Sequence, residues 1–199
     1  MMDKKLLIEE IKAAFTKVEY PKQITYDISG NHLECLEVEN MFRNKEWQSL
    51  PNNFMFEERS ALFFFSPEGF HYYLPAFMIF SLHDFVGADN IPDAIVRMLT
   101  LPTEVDTIIL ANAIKEYRLD KTISNLDFSE ILQNSLNHIN ESINAFIKRA
   151  VLFDSQQGRA VFHYLEYIKK EFAYNWLNNE PQNAIQRYWF HRILLSFDR

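Results

Sequence analysis

Three histidine–glutamate pairs have the three-residue spacing that a helical metal site uses: Glu68/His71, His138/Glu141 and His163/Glu166. On a helix this spacing puts both side chains on one face, where they could bind the same metal ion. Di-iron helical bundles need the order Glu-x-x-His on two helices, with single glutamates on two more. One pair, Glu68/His71, has that order, and a few such pairs arise by chance among six histidines and 27 acidic residues. We therefore predict surface or core-edge pairs, with no metal site and no cofactor.

Nucleophilic catalysis has little support in the residue types. The one cysteine, Cys35, stands between glutamates, and an acidic setting disfavours the reactive thiolate. Ser66 precedes Pro67 and Glu68, a pattern typical of a helix N-cap rather than of a nucleophile. Four glycines spread through 199 residues leave no glycine-rich phosphate loop. The sequence predicts no catalytic residue.

Aromatic and acidic residues concentrate in the middle of the chain. Eleven aromatic residues lie within residues 54–85, and residues 66–110 contain six acids against one base, Arg97. Because one helix face cannot bury eleven rings, we expect some of them to form an apolar surface patch, which commonly marks a partner site. The candidate binding residues are Glu68, His71, Tyr72, Tyr73, His83 and Asp84. Tyrosine tolerates a half-exposed position, so we expect one of the two tyrosines at the rim.

The stretch Phe64–Phe77, with the sequence FFSPEGFHYYLPAF, combines two prolines with a distinctive aromatic pattern. It resembles the signature F-x-S/T-P-E-x-F-x-Y-Y-L-P-A of an uncharacterised bacterial family, a domain of unknown function. A later segment, residues 157–167, is similar to a second part of that family. The resemblance implies a bacterial origin and a cytoplasmic location, and it carries over no catalytic role.

Helices must position these side chains, because apolar residues recur at helical spacing through most of the chain. Pro75 lacks a backbone donor and should break the central helix at that point. Before residue 120 the predicted helices cover residues 3–18, 32–44, 67–73, 75–85, 92–99 and 103–118.

The clearest helical pattern lies in the last third of the chain. Apolar residues step by three and four from Leu132 to Phe153, and a capping-box pattern at Asp154 and Gln157 starts a second series. This predicts a long C-terminal αα-hairpin. Leu136, Ile143 and Phe146 should be buried in its seam. A last helix should open at Pro181.

The composition favours a single all-α domain over residues 1–199, built as a multi-helix bundle. Glycine and proline together number 11, about half the usual share, which argues against many short strands.

A net charge of −7 argues against nucleic-acid binding. The longest apolar run, residues 72–82, is too short to cross a membrane. One cysteine excludes an internal disulfide, and we expect a cytoplasmic protein.

Two functional hypotheses follow from these patterns. In the first, the protein is a non-enzymatic binding module whose aromatic, acidic segment 54–93 contacts another protein, with a basic partner favoured by the charge. In the second, it is a small metal-dependent or hydrolytic enzyme that uses the helical His/Glu pairs. Convergence of two such pairs in one pocket would favour the enzyme.

Overall fold

The computed structural model describes residues 3–123 and 126–191 and confirms an all-α fold that is 70% helical. Within these residues there are eleven α-helices and no β-strand, and an isolated bridge joins Thr25 to Phe65. The helices are α1 (Lys4–Phe15), α2 (Leu33–Phe42), α3 (Asn52–Glu57), α4 (Pro67–His83), α5 (Ile91–Leu99), α6 (Glu104–Glu116), α7 (Leu119–Thr122), α8 (Phe128–Asn137), α9 (Ile139–Ala150), α10 (Ser155–Glu171) and α11 (Glu180–Ala184). Short 3₁₀ turns cover Trp47–Ser49, Ala61–Phe63 and Ala173–Asn175, and a π-helical turn, Ile185–Trp189, continues α11. None of the described helices is both long enough and apolar enough to cross a membrane.

The helices begin at the capping residues that the sequence predicts. The Ser66 hydroxyl accepts a hydrogen bond from the backbone N–H of Gly69 at 2.9 Å, with Pro67 at the first helical position. At the start of α10, the Asp154 carboxylate accepts from the Gln157 N–H, and the Gln157 side chain accepts from the Asp154 N–H. These side chains satisfy backbone donors that a helix leaves unpaired at its start.

The central helix α4 is continuous, whereas the sequence predicts two short helices that meet at Pro75. Its 17 residues run from Pro67 to His83 with Pro75 inside. Proline leaves the carbonyl of His71 without its usual helical donor. Twelve of the 17 residues are buried, and a helix that is apolar on nearly every side is stabilised by the packing around it. Tertiary packing therefore overrides the local helix-breaking signal.

The chain divides into two compact units, and the first contains the residues up to Thr100 together with those from Lys148 onward. In this unit α4 contacts α1, α3 and α5, while α10 packs against α1 and α11. A buried hydrogen bond of 2.8 Å joins the hydroxyls of Ser81 in α4 and Tyr164 in α10. The core of the first unit thus depends on two segments that are distant in sequence.

The second unit contains residues 101–147, in which α6 contacts α7 and α8. Many of its apolar side chains are exposed, among them Val105 and Ile108. The single domain over residues 1–199 that the sequence predicts stays a prediction.

The first arm of the αα-hairpin that the sequence predicts is not one continuous helix. The arm that should run from Leu132 to Phe153 is divided into α8 and α9 at His138, whose ring and backbone N–H both bond to the Asn134 carbonyl. A side chain that competes for helical carbonyls favours such a break. Of the three residues expected in the seam, Leu136 is exposed, Ile143 is half-buried and Phe146 is buried.

Candidate functional site

The first turn of α4 is held against the loop formed by residues 23–26. The N–H of Ser66 donates to the Ile24 carbonyl at 2.8 Å. Gly69 lies against the same loop, because a Cβ at this position would come within 2.1 Å of the Ile24 carbonyl oxygen. Ser66 and Gly69 therefore have structural roles in this chain.

Tyr72 and Tyr73 are both buried, so the expected position of one tyrosine at a rim is wrong. The Tyr73 hydroxyl donates to the carbonyls of Phe42 and Lys45, each at 2.9 Å. Burial raises the pKa of Tyr73 far above its usual range, so the hydroxyl keeps its proton. Tyr72 packs edge-to-face against Tyr20 with ring centroids 5.3 Å apart. Carbonyls at the end of a helix need donors, and the core position of Tyr73 supplies one.

Glu68 and His71 line a cleft of about 510 Å³, which we call the His71 cleft. Residues 17–23 and the start of α10 complete its walls. His71 Nε2 lies 2.8 Å from Gln157 Oε1, and since an amide oxygen can only accept, Nε2 is the donor. Burial lowers the pKa of His71, so its ring is neutral at pH 7, with the lone pair on Nδ1.

His83 lines a second cleft, of about 400 Å³, between α1, α3 and α4, which we call the Trp47 cleft. Trp47 is buried, and its indole Nε1 has no hydrogen-bond partner among the described residues. The neighbouring Asp84 has a different role, since its carboxylate accepts from the Gly87 N–H at 2.8 Å and closes a turn. His83 and Asp84 therefore do not act as a pair.

Two of the eleven aromatic residues in 54–85 are exposed, so the predicted apolar patch is small. Phe56 is 44% and Phe63 is 38% exposed. The guanidinium of Arg59 lies 5.2 Å from the Phe56 ring centroid, and that of Arg97 lies 5.7 Å from the Phe63 centroid. Arg59 also forms an ion pair with Asp89, with Nε and Oδ2 3.3 Å apart. Both exposed rings are thus held by arginine side chains.

Carboxylates crowd the surface beside these two rings. Burial raises the pKa of Glu58, and the charges of Glu57 and Glu37 raise it further. Burial and neighbouring carboxylates, Asp89 among them, also raise the pKa of Asp93. We call this surface the acidic aromatic face, and its members are Glu37, Phe56, Glu57, Glu58, Arg59, Phe63, Asp89, Asp93 and Arg97.

The His/Glu pairs bond to other partners. His163 Nδ1 lies 2.8 Å from Glu10 Oε2, whereas Glu166 pairs with Lys169. The ring of His138 bonds to a backbone carbonyl of α8. No group of three His, Cys, Asp or Glu within the described part of the chain is placed to hold a metal ion.

Several partners in these sites could not be identified from the sequence. Gln157 is 86 positions from His71, and Glu10 is 153 positions from His163. The capping pattern identifies Gln157 as a cap but contains no signal for a contact with α4. No pattern in the sequence indicates the cleft beside Trp47.

The described residues form an all-α, multi-helix fold, and the first unit contains the buried helix α4, which includes most of the signature stretch. The chain belongs to the family of unknown function DUF6714, whose model matches residues 3–118. The match covers α1 to α6 and therefore the whole of Phe64–Phe77. No curated protein and no solved structure matches the chain.

Proposed function

We propose that this protein is a non-enzymatic binding module whose acidic aromatic face contacts a basic segment of another protein. The observation that carries the proposal is the combination of two exposed phenylalanines, each under an arginine, with carboxylates crowded beside them. Aromatic residues and arginine are the side chains most enriched in the energetically important centres of protein interfaces. The face lies mainly within segment 54–93.

Charge supports a basic partner rather than an acidic one. The raised pKa of Glu58 reflects partial burial and repulsion from Glu57 and Glu37. A lysine or arginine of a partner would relieve that repulsion and favour the ionised form of Glu58. Electrostatic complementarity of this kind accelerates association and excludes acidic partners.

A bacterial origin and a cytoplasmic location belong to the same proposal. They rest on the resemblance of Phe64–Phe77 to the signature of a bacterial family.

The alternative hypothesis, that the protein is an enzyme, now depends on His71 and the cleft that it lines. The neutral ring of His71 could accept a proton at Nδ1. However, the described residues that line this cleft include no serine, threonine or cysteine that it could activate. The binding role is therefore the better supported of the two.

Charge reversal in the face tests the binding role. Glu57→Lys with Glu58→Lys should weaken capture of the basic partner from cells of the native host by at least about tenfold, because two attractive contacts become repulsive. The partner would be identified by mass spectrometry, and its affinity for both purified variants would then be measured. Binding by the wild-type protein should also weaken as salt is raised.

A matched control separates a local effect from a change in net charge. Glu19→Lys with Glu171→Lys makes the same change at exposed positions outside the face and should leave capture unchanged. Equal capture by both double variants, or a partner without a basic segment, would contradict the proposal.

A further inference from the structure

The floor of the Trp47 cleft is apolar and comes mainly from one side of α4. Ala76, Ile79 and Phe80 stand at helical spacing along that side, and Met55 of α3 also lines the cleft. Met55 is fully buried, and Ala76 and Phe80 nearly so. A floor of this kind favours an aliphatic chain over a polar ligand.

The rim of the cleft is polar and contains a positive charge. Lys12 of α1, Thr16 at the end of this helix and His83 of α4 all line the cleft and are exposed. Lys12 forms an ion pair with Glu9 at 2.9 Å, in which both side chains are more than half exposed. Such a surface pair contributes little, so Lys12 is able to turn toward an anion in the cleft.

Trp47 also lines the cleft and has a buried hydrogen-bond donor. Its side chain is 3% exposed, and its indole N–H has no acceptor within the described residues. Buried donors nearly always have a partner, and one left unpaired is costly. The other two tryptophans meet this need, because Trp176 donates to the Ile168 carbonyl and Trp189 to the Leu99 carbonyl.

We infer that the Trp47 cleft binds a small carboxylate with an aliphatic tail. The tail lies on the apolar floor, while the carboxylate accepts from the Trp47 indole N–H and pairs with Lys12 at the rim. Because the indole nitrogen is covered in this structure, the acceptor reaches it when the atoms that cover it move aside. A cleft of about 400 Å³ lies within the size range of small-molecule sites. This binding site is separate from the proposed docking of a protein partner.

Titration with octanoate tests this inference, with 1-octanol as the uncharged control of the same chain length. In the wild-type protein, octanoate should shift the nuclear magnetic resonance signal of the Trp47 indole N–H, assigned by its loss in Trp47→Phe. The indole signals of Trp176 and Trp189 should stay in place because those donors are already occupied. Octanol should bind at least about tenfold more weakly, since it lacks the charge that pairs with Lys12.

Variants at the rim and wall complete the experiment. Trp47→Phe and Lys12→Met should each weaken octanoate binding by about tenfold or more, while Lys17→Met, an exposed lysine outside this cleft, should not. Lys12 is exposed, so its variant reports on binding even if Trp47→Phe fails to fold. The inference is overturned if octanoate at millimolar concentration leaves the Trp47 signal unmoved, if octanol binds equally well, or if Lys12→Met binds like the wild type.

Discussion

At the scale of single residues, several residues of the signature stretch have roles that depend on their contacts with backbone groups. Gly69 makes room for the Ile24 carbonyl, Ser66 caps α4, and Tyr73 donates to carbonyls near the end of α2. Sequence reasoning identified the cap at Ser66 because capping depends on neighbouring residues. It misplaced the tyrosines because their acceptors lie about 30 positions away, where no local pattern reports them.

Removing the Tyr73 hydroxyl should destabilise the fold. Tyr73→Phe removes a buried hydroxyl donor that the Phe42 and Lys45 carbonyls share, so the free energy of unfolding should fall by about 1–3 kcal/mol. Urea denaturation measures the change, with Tyr174→Phe as control, because Tyr174 is exposed. A loss no larger than that of the control would show that water replaces the hydroxyl at no cost.

His71 should make stability depend on pH in a defined window. Burial lowers the pKa of His71 in the folded state below its unfolded value of about 6.5. As the pH falls through 6.5 toward the folded pKa, the unfolded chain binds the proton first, and the free energy of unfolding decreases. Above 6.5 this effect is absent.

The comparison that isolates His71 is unfolding of the wild type and of His71→Gln at pH 7.5 and pH 5.5. The wild type should lose more stability between these two values, since glutamine does not titrate. The carboxylates Glu58 and Asp93, whose pKa is raised, respond equally in both proteins and cancel. An equal loss in both proteins would exclude His71 as the source.

At the scale of elements, helix starts were predicted well and helix interiors less well. Asp154 with Gln157 and Ser66 with Pro67 are short-range signals, and helices begin where they indicate. The breaks expected at Pro75 and the continuity expected across His138 were both wrong. In each case the outcome depends on what surrounds the helix, since α4 is buried on nearly every side and α8 is exposed.

The capping box of α10 offers a test at this scale. Asp154→Ala should lower the free energy of unfolding by about 1 kcal/mol, because it removes the acceptor for the Gln157 N–H. Asp154→Asn should retain most of the stability, since asparagine caps equally well. If both variants lost the same amount, the charge of Asp154 rather than its hydrogen bond would be the stabilising factor.

At the scale of the whole molecule, the family-matched region does not contain all of the core that it uses. Residues 3–118 match the family, but α10 supplies Val161, Tyr164, Leu165 and Ile168 to the same hydrophobic core. Each buried side chain of this size contributes about 1.5–3 kcal/mol, and their sum is comparable to the whole stability of an ordinary domain.

A fragment of residues 1–118 should therefore fail to fold. We expect it to lack the cooperative unfolding transition of the full chain in circular dichroism, and to show little dispersion in its nuclear magnetic resonance spectrum. Addition of a second fragment, residues 148–199, is the informative control, since it restores the core residues that the first fragment lacks. A cooperative transition in the first fragment alone would show that α10 is dispensable.

The first unit is built from two segments that are distant in sequence, and this affects how the chain folds during synthesis. Translation proceeds at about 5–20 residues per second, so the residues after Lys148 that complete the core emerge several seconds later than Thr100. During that interval α10 has not yet emerged, so it cannot cover the apolar surface of α4. Exposed surface of this kind makes folding intermediates prone to aggregate, and the nascent chain should therefore be a client of ribosome-associated chaperones. Slowing translation in the stretch 101–147 would lengthen this exposure, and the yield of soluble protein should fall.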